Sequence, residues 1–272
     1  MDCERAIFIC TNIYFCDKTR GQNFAEKAVM MQYAVQWVRS LIFAVQMYLA
    51  MIVIAFFGAP ISLIRTEYAC MVVRFFCKYV TWSASWIIGL KTEIRGEPPS
   101  GAILIAAKHQ SFLDAIMIVS KTPQPKFIMK SSLTYMPVIG FYARRMGCIP
   151  VKRGRRSEAI KTMLEAVKPG DTPSGQLIIY PQGTRVAPGD KVAYKVGAAA
   201  LYEQLGQPCM PIACNVGLFW GRLGIYKKPG KATIEFLPLI MPGLDRDTFL
   251  STLEETIETR SNELINEVST DI

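Results

Sequence analysis

From Ser40 to Ile64 the chain reads SLIFAVQMYLAMIVIAFFGAPISLI, 25 residues without a charge, bracketed by Arg39 and Arg65. At about 1.5 Å of rise per residue, a helix of this length matches a hydrocarbon core of roughly 30 Å. Pro60, near its end, equally permits a bend that keeps the segment within one leaflet. The stretch from Tyr68 to Leu90 sets Arg74 and Lys78 among aromatic residues, as a helix lying in the membrane interface does. The competing reading of the first segment is a buried core helix. A cleaved signal peptide fits poorly, because the apolar run is long and far from Met1.

Beyond Gly96 the pattern changes to short β-branched runs alternating with amphipathic ones. Strands are predicted over 102–108, 126–130, 148–152, 176–181, 209–215 and 231–237, and helices over 112–120, 131–145, 155–168, 192–205 and 247–267. This alternation implies an α/β domain: a largely parallel sheet flanked by helices, preceded by the N-terminal hydrophobic membrane element. Three regions follow: a poorly ordered extension (1–35), a membrane-anchoring helical element (36–95) and the α/β domain (96–272), with GEPPSG (96–101) as the hinge. Met30 and Met31 open a stretch unlike the one before it, and translation is expected to begin naturally at one of them.

Charge adds a partner. Lys and Arg number 31 against 22 Asp and Glu, a net charge of +9, so the surface should seek anions. With 51% hydrophobic residues and neither a basic tail nor an aromatic RNA-binding motif, anionic membrane lipids are favoured over nucleic acid. The basic flank after the apolar run (Arg65, Arg74, Lys78, Lys91, Arg95) argues for a cytoplasmic remainder. Eight cysteines without a CxxC pair and a single histidine suggest neither a zinc cluster nor a disulfide framework.

That histidine, His109, stands in AAKHQSFLDA (106–115), five residues before Asp114. Ser111 and Asp114 have the spacing of a capping box, so Asp114 is readable as a helix-start residue alone. It is equally readable as the partner that fixes the tautomer of His109. Residues five apart on a continuous helix do not face each other, so the second reading needs His109 on the turn between strand and helix. QGTR (182–185) follows another predicted strand, and both segments then sit at strand carboxyl ends, where α/β sheets gather ligands.

Four blocks in one order resemble the glycerolipid acyltransferase family, over about residues 95–240: KHQSFLD (108–114), FIMKSSLTYMPVIGFYARRMGCIPVKR (127–153), YPQGTR (180–185) and MPIAC with Pro211. Two positions depart from the family pattern, Lys108 for the usual Asn and Gln182 for the usual Glu. The resemblance implies a bacterial membrane-bound O-acyltransferase that moves a fatty acyl group from acyl-CoA or acyl carrier protein to the sn-2 hydroxyl of 1-acylglycerol-3-phosphate. It implies no cofactor or metal, His109 as general base with Asp114, and direct transfer without an acyl-enzyme. Ser111 as nucleophile is the alternative, although no G-x-S-x-G elbow surrounds it.

By family position Lys130, Arg153 and Arg185 are expected to bind the acceptor phosphate, with Gln182, Gly183 and Thr184 beside them. A main-chain N–H near Gly183 would serve either phosphate or oxyanion. Without a carboxylate at 182, Arg185 is expected to be freer to grip phosphate. Met129, Met136 and Met146 suit a flexible acyl groove. The implied location is the inner membrane, with the catalytic domain on the cytoplasmic side. Acylation of another lysolipid (such as lyso-ornithine lipid), a membrane-bound thioesterase and a non-catalytic lipid-binding anchor are the other readings.

Overall fold

The computed structural model describes residues 3–152, 156–167 and 175–270. Two helices come first, α1 (Cys3–Ile64) and α2 (Thr66–Ile87), followed by β1 (Leu90–Arg95). The rest alternates: β2 (Ile103–Ala107), α3 (Phe112–Lys121), β3 (Pro125–Lys130), α4 (Pro137–Arg145), β4 (Ile149–Val151), α5 (Arg156–Ala166), β5 (Gln176–Ile179), α6 (Gly197–Leu205), β6 (Cys209–Cys214), β7 (Gly230–Phe236) and α7 (Arg246–Thr270). The seven strands form one sheet in the order β1-β7-β6-β2-β5-β3-β4. Every pairing is parallel except β6 with β7, so the largely parallel α/β sheet stands.

Helices cover both faces. Alternation along β2 divides the core: Ile105 and Ala107 face α2 and α3, while Leu104 and Ala106 face α5, α6 and α7. The chain leaves β2 toward the first face through α3 and leaves β5 toward the second through α6. β2 and β5 are neighbours, so the gap between their ends is a point where connections diverge and a ligand can enter.

Four expectations need correction. The boundary drawn at residue 35 falls inside α1, a single helix through Ile64. The boundary at 96 comes too late, because β1 is already a sheet strand, paired with β7 some 140 residues away; its sequence, LKTEIR, carries three charges and has no apolar run to announce it. The helix expected over 131–145 splits into a 3-10 turn (Ser131–Tyr135) and α4. Pro137 takes the first turn of α4, where its missing N–H costs nothing, and could not continue a preceding helix. The helix expected from 192 starts only at Gly197.

The α1–α2 hairpin lies along the α/β domain rather than away from it. Midway along α1, Gln36 donates to the carbonyls of Ile88 (3.0 Å) and Lys227 (2.8 Å), and Phe43 packs edge-on against Trp220. Near its end, the Ala55 carbonyl accepts from the Tyr142 hydroxyl at 2.9 Å and that of Ser62 from Arg145 at 2.9 Å. The helices meet closely at Gly58, where a Cβ would lie 2.5 Å from Val72. Val29–Ile64 is long and apolar enough to cross a membrane, by length and composition, and only 17% of it is buried. The outer face of the hairpin exposes Phe56, Phe57, Phe75, Trp82 and Trp86, each 60–75% accessible.

Candidate active site

His109 occupies the turn between β2 and α3, and its Nδ1 lies 2.9 Å from Asp114 Oδ1. Asp114 does both things its sequence position allowed. Oδ2 accepts the backbone N–H of Gln110 (2.9 Å) and Ser111 (2.8 Å), completing a capping box in which Ser111 Oγ accepts from Leu113 N–H at 3.1 Å. Oδ1 remains for the imidazole and for the Tyr180 hydroxyl, which donates at 3.1 Å. A carboxylate is acceptor-only, so the neutral imidazole is held as the tautomer with its proton on Nδ1 and its lone pair on Nε2. Asp114 is fully buried, while the His109 side chain retains 15% exposure.

Tyr180, at the end of β5, is a site residue that sequence reasoning missed. Its ring stacks on His109 at 3.8 Å between centroids and 17° between planes, and Phe127 continues the stack. Burial, reinforced by the Asp114 charge, holds its hydroxyl well above the usual phenol range. It therefore remains a donor. The ring is thus fixed from its face by Tyr180 and from its edge by Asp114.

His109 borders a cavity of about 290 Å³ whose wall is almost wholly apolar. α1 contributes Met51, Ile54 and Ala55, and α2 contributes Val72, Val73, Phe76 and Cys77. Most of the remainder comes from α3, β3, α4 and the residues next to them, including Met129 and Met146; Met136, expected with them, is exposed instead. Lys130 lines the same cavity and is exposed, so one cation stands at an apolar slot that also holds the imidazole.

The turn after β5 brings in the remaining expected residues. Gly183 has φ +67°, a conformation that side chains disfavour, and its N–H donates to the Tyr180 carbonyl at 2.8 Å. A Cβ at 183 would lie 2.4 Å from Lys195 Nζ; Lys195, a cation the sequence did not single out, borders a second cavity of about 300 Å³ with Gly183 and Lys152. The Val186 N–H donates to the His109 carbonyl at 2.8 Å, which ties the two strand-end turns together. Thr184 and Arg185 are half-buried on this turn, and Arg185 Nη1 donates to the Arg222 carbonyl at 2.9 Å. Arg153 lies outside the described residues.

One expectation fails here. Position 182 was expected to lack a nearby carboxylate, but Glu258 of α7 supplies one: Gln182 is 1% exposed and its Nε2 donates to Glu258 Oε1 at 3.3 Å. Among the described residues, no group of His, Cys, Asp and Glu is arranged to hold a metal ion.

Known proteins resemble this chain in sequence and in fold. Residues 91–215 match the family model described as Acyltransferase. The chain is 27% identical over 222 residues to 1-acyl-sn-glycerol-3-phosphate acyltransferase of Pseudomonas aeruginosa, covering 79% of this chain and 84% of that one. It is 26% identical over 195 residues to 1-acyl-sn-glycerol-3-phosphate acyltransferase alpha of Mus musculus, covering 69% and 68%. The crystal structure of the 1-acyl-sn-glycerophosphate (LPA) acyltransferase PlsC from Thermotoga maritima superposes with a TM-score of 0.69 at 18% identity, covering 86% of this chain and 98% of that one. At that identity the likeness establishes the fold.

Proposed function

From a chain whose residues 91–215 match the Acyltransferase family model and whose relatives are named 1-acyl-sn-glycerol-3-phosphate acyltransferases, we propose a 1-acylglycerol-3-phosphate O-acyltransferase that takes its acyl group from a thioester and yields phosphatidic acid. The observation that carries this reading is the His109–Asp114 pair, 2.9 Å apart, opening onto an apolar cavity with Lys130 at its edge.

In this reading Nε2 of His109 takes the proton from the sn-2 hydroxyl as that oxygen attacks the thioester carbonyl. Asp114 stabilises the imidazolium that results. The tetrahedral intermediate collapses, the C–S bond breaks, and the imidazolium returns its proton to the departing thiolate. The acyl chain lies in the cavity beneath the hairpin. Lys130 and Arg185 meet the acceptor's phosphate, Arg185 with one guanidinium edge anchored on the Arg222 carbonyl and the rest of its fork free for bidentate contact. Ser111 serves as a cap, since its Oγ is turned to the Leu113 N–H.

The hairpin supports seating in one leaflet. A helix held at Gln36 and again at Ser62 to the same domain lies parallel to that domain's surface, and its exposed aromatic face fits the membrane interface. The acceptor then enters from the bilayer while the thioester arrives from the aqueous side.

The test supplies purified protein with a labelled acyl thioester and either lysophosphatidate, another lysolipid or no acceptor. Labelled phosphatidate that disappears in His109→Ala supports the reading. Transfer only to a different lysolipid corrects the acceptor, and release of free fatty acid without an acceptor identifies a thioesterase.

A further inference from the structure

Behind the two strand-end turns lies a charged cluster that the chemistry above does not use. Lys108 directly precedes His109 and Gln182 directly precedes Gly183, and both side chains point to Glu258 on α7. Glu258 Oε1 accepts from Lys108 Nζ at 2.6 Å, from the Tyr194 hydroxyl at 2.9 Å and from Gln182 Nε2 at 3.3 Å. The Lys108 side chain is 3% exposed. A buried ammonium persists only with a partner, and Glu258 is its salt-bridge partner.

The cluster joins the two positions at which the motifs depart from the family pattern. Lys108 introduces a positive charge at 108, Gln182 removes a negative one at 182, and the compensating carboxylate comes from a helix 76 residues beyond Gln182. The two turns are already linked through Val186 N–H and the His109 carbonyl. A single side chain bonded to the residue before His109 and to the residue before Gly183 sets the spacing between the base and the Gly183–Arg185 turn. Gln182 Oε1, buried without a partner, leaves that amide held from one end only, by Glu258.

We propose that Glu258 is a positioning residue for the acyl-transfer site: it supplies from α7 the carboxylate that the third motif lacks and so holds the His109 turn and the Gly183–Arg185 turn in register. This rests on the acyltransferase reading for its effect on turnover, but the effect on the His109 ring does not depend on it.

The test uses the full chain in detergent with four variants: Glu258→Gln, Gln182→Glu, the two combined, and Lys108→Met with Glu258→Met. The expected result is a kcat lowered about tenfold or more in Glu258→Gln with KM for lysophosphatidate changed less than about threefold, the signature of a lost transition-state arrangement. The combined variant returns a carboxylate to the cluster on the other side of the ammonium and should recover at least about half of the lost turnover. The methionine pair removes both charges together, so it should fold and melt no lower than the parent while keeping the low kcat.

The chain's only histidine gives a single imidazole signal pair, Nδ1 and Nε2, in nitrogen-15 NMR. That pair should shift in Glu258→Gln and return in the combined variant. Full kcat in the methionine pair, or an unmoved imidazole signal in folded Glu258→Gln, overturns the proposal. Absence of acyl transfer in the parent overturns the functional reading instead, and the imidazole signal then still decides the role of Glu258.

Discussion

Replacing Asp114 by Asn separates the two tasks of that residue. An amide has one oxygen and one NH2. If the oxygen faces the Gln110 and Ser111 N–H groups, the cap survives and the NH2 faces His109 Nδ1 and the Tyr180 hydroxyl. The hydroxyl can rotate to accept; the imidazole can accept only by moving its own proton to Nε2. The opposite orientation sets the NH2 against two backbone donors now satisfied at 2.9 and 2.8 Å, and unsatisfied buried donors cost about 1–3 kcal/mol each. The first orientation wins, and it removes the lone pair that the proposed reaction needs.

Loss of the correct tautomer is worth about 10³–10⁴ in kcat where a histidine serves as base, or roughly 4–5.5 kcal/mol of barrier. Stability should fall by only about 1–2 kcal/mol, the loss of a carboxylate at a helix N-terminus. Steady-state transfer of labelled acyl groups, alongside thermal melting, reads both quantities. An Asp114→Asn protein with kcat within about tenfold of the parent refutes the reasoning, because the tautomer would then not matter. A protein that fails to fold would instead show that the amide oxygen does not hold the cap.

Further tests address other parts of the site. Ser111→Ala should cost about 1 kcal/mol in unfolding free energy through its cap and leave kcat nearly unchanged; abolished turnover in a folded protein would make Ser111 a nucleophile. Arg185→Gln should raise KM for lysophosphatidate about tenfold or more, leaving transfer to an uncharged lysolipid unaffected. Ala143→Phe, in the apolar wall, should shift donor preference toward shorter acyl chains in a competition among thioesters.

Lys227, 4% exposed and desolvated between α1 and Trp220, has its pKa pushed down to about 8 from 10.5. Between those values the unfolded chain binds the proton that the folded chain has released. Stability should therefore rise with pH across the window by up to roughly 3 kcal/mol, and melting curves of Lys227→Met should lack that rise.

The legible parts of this molecule are those with local causes. Runs such as CMPIAC are buried on both faces and announce a central strand; KHQSFLD carries its turn, cap and helix start within seven residues. β1 has three charges in six residues and owes its existence to a partner strand far along the chain. Glu258 is one of several acidic residues on α7, and nothing near it in sequence distinguishes it; its partner Lys108 lies 150 residues away. Lys227 sits in YKKPGK, which reads as a solvated surface, and only packing against Gln36, Ser40 and Trp220 buries it. Tyr180 was within reach, because an aromatic residue ending a strand beside QGTR is placed to touch the neighbouring strand's turn.

Because α1 and α2 form one side of the chamber that His109 borders, trimming them away to obtain a shorter protein should open that chamber to water. Extraction has a related consequence: surfactant molecules that coat the exposed aromatic face gather at the roof of the same chamber, and those with tails of matching length should compete with substrate. Inhibition should follow the tail, not the headgroup, of the surfactant chosen for purification.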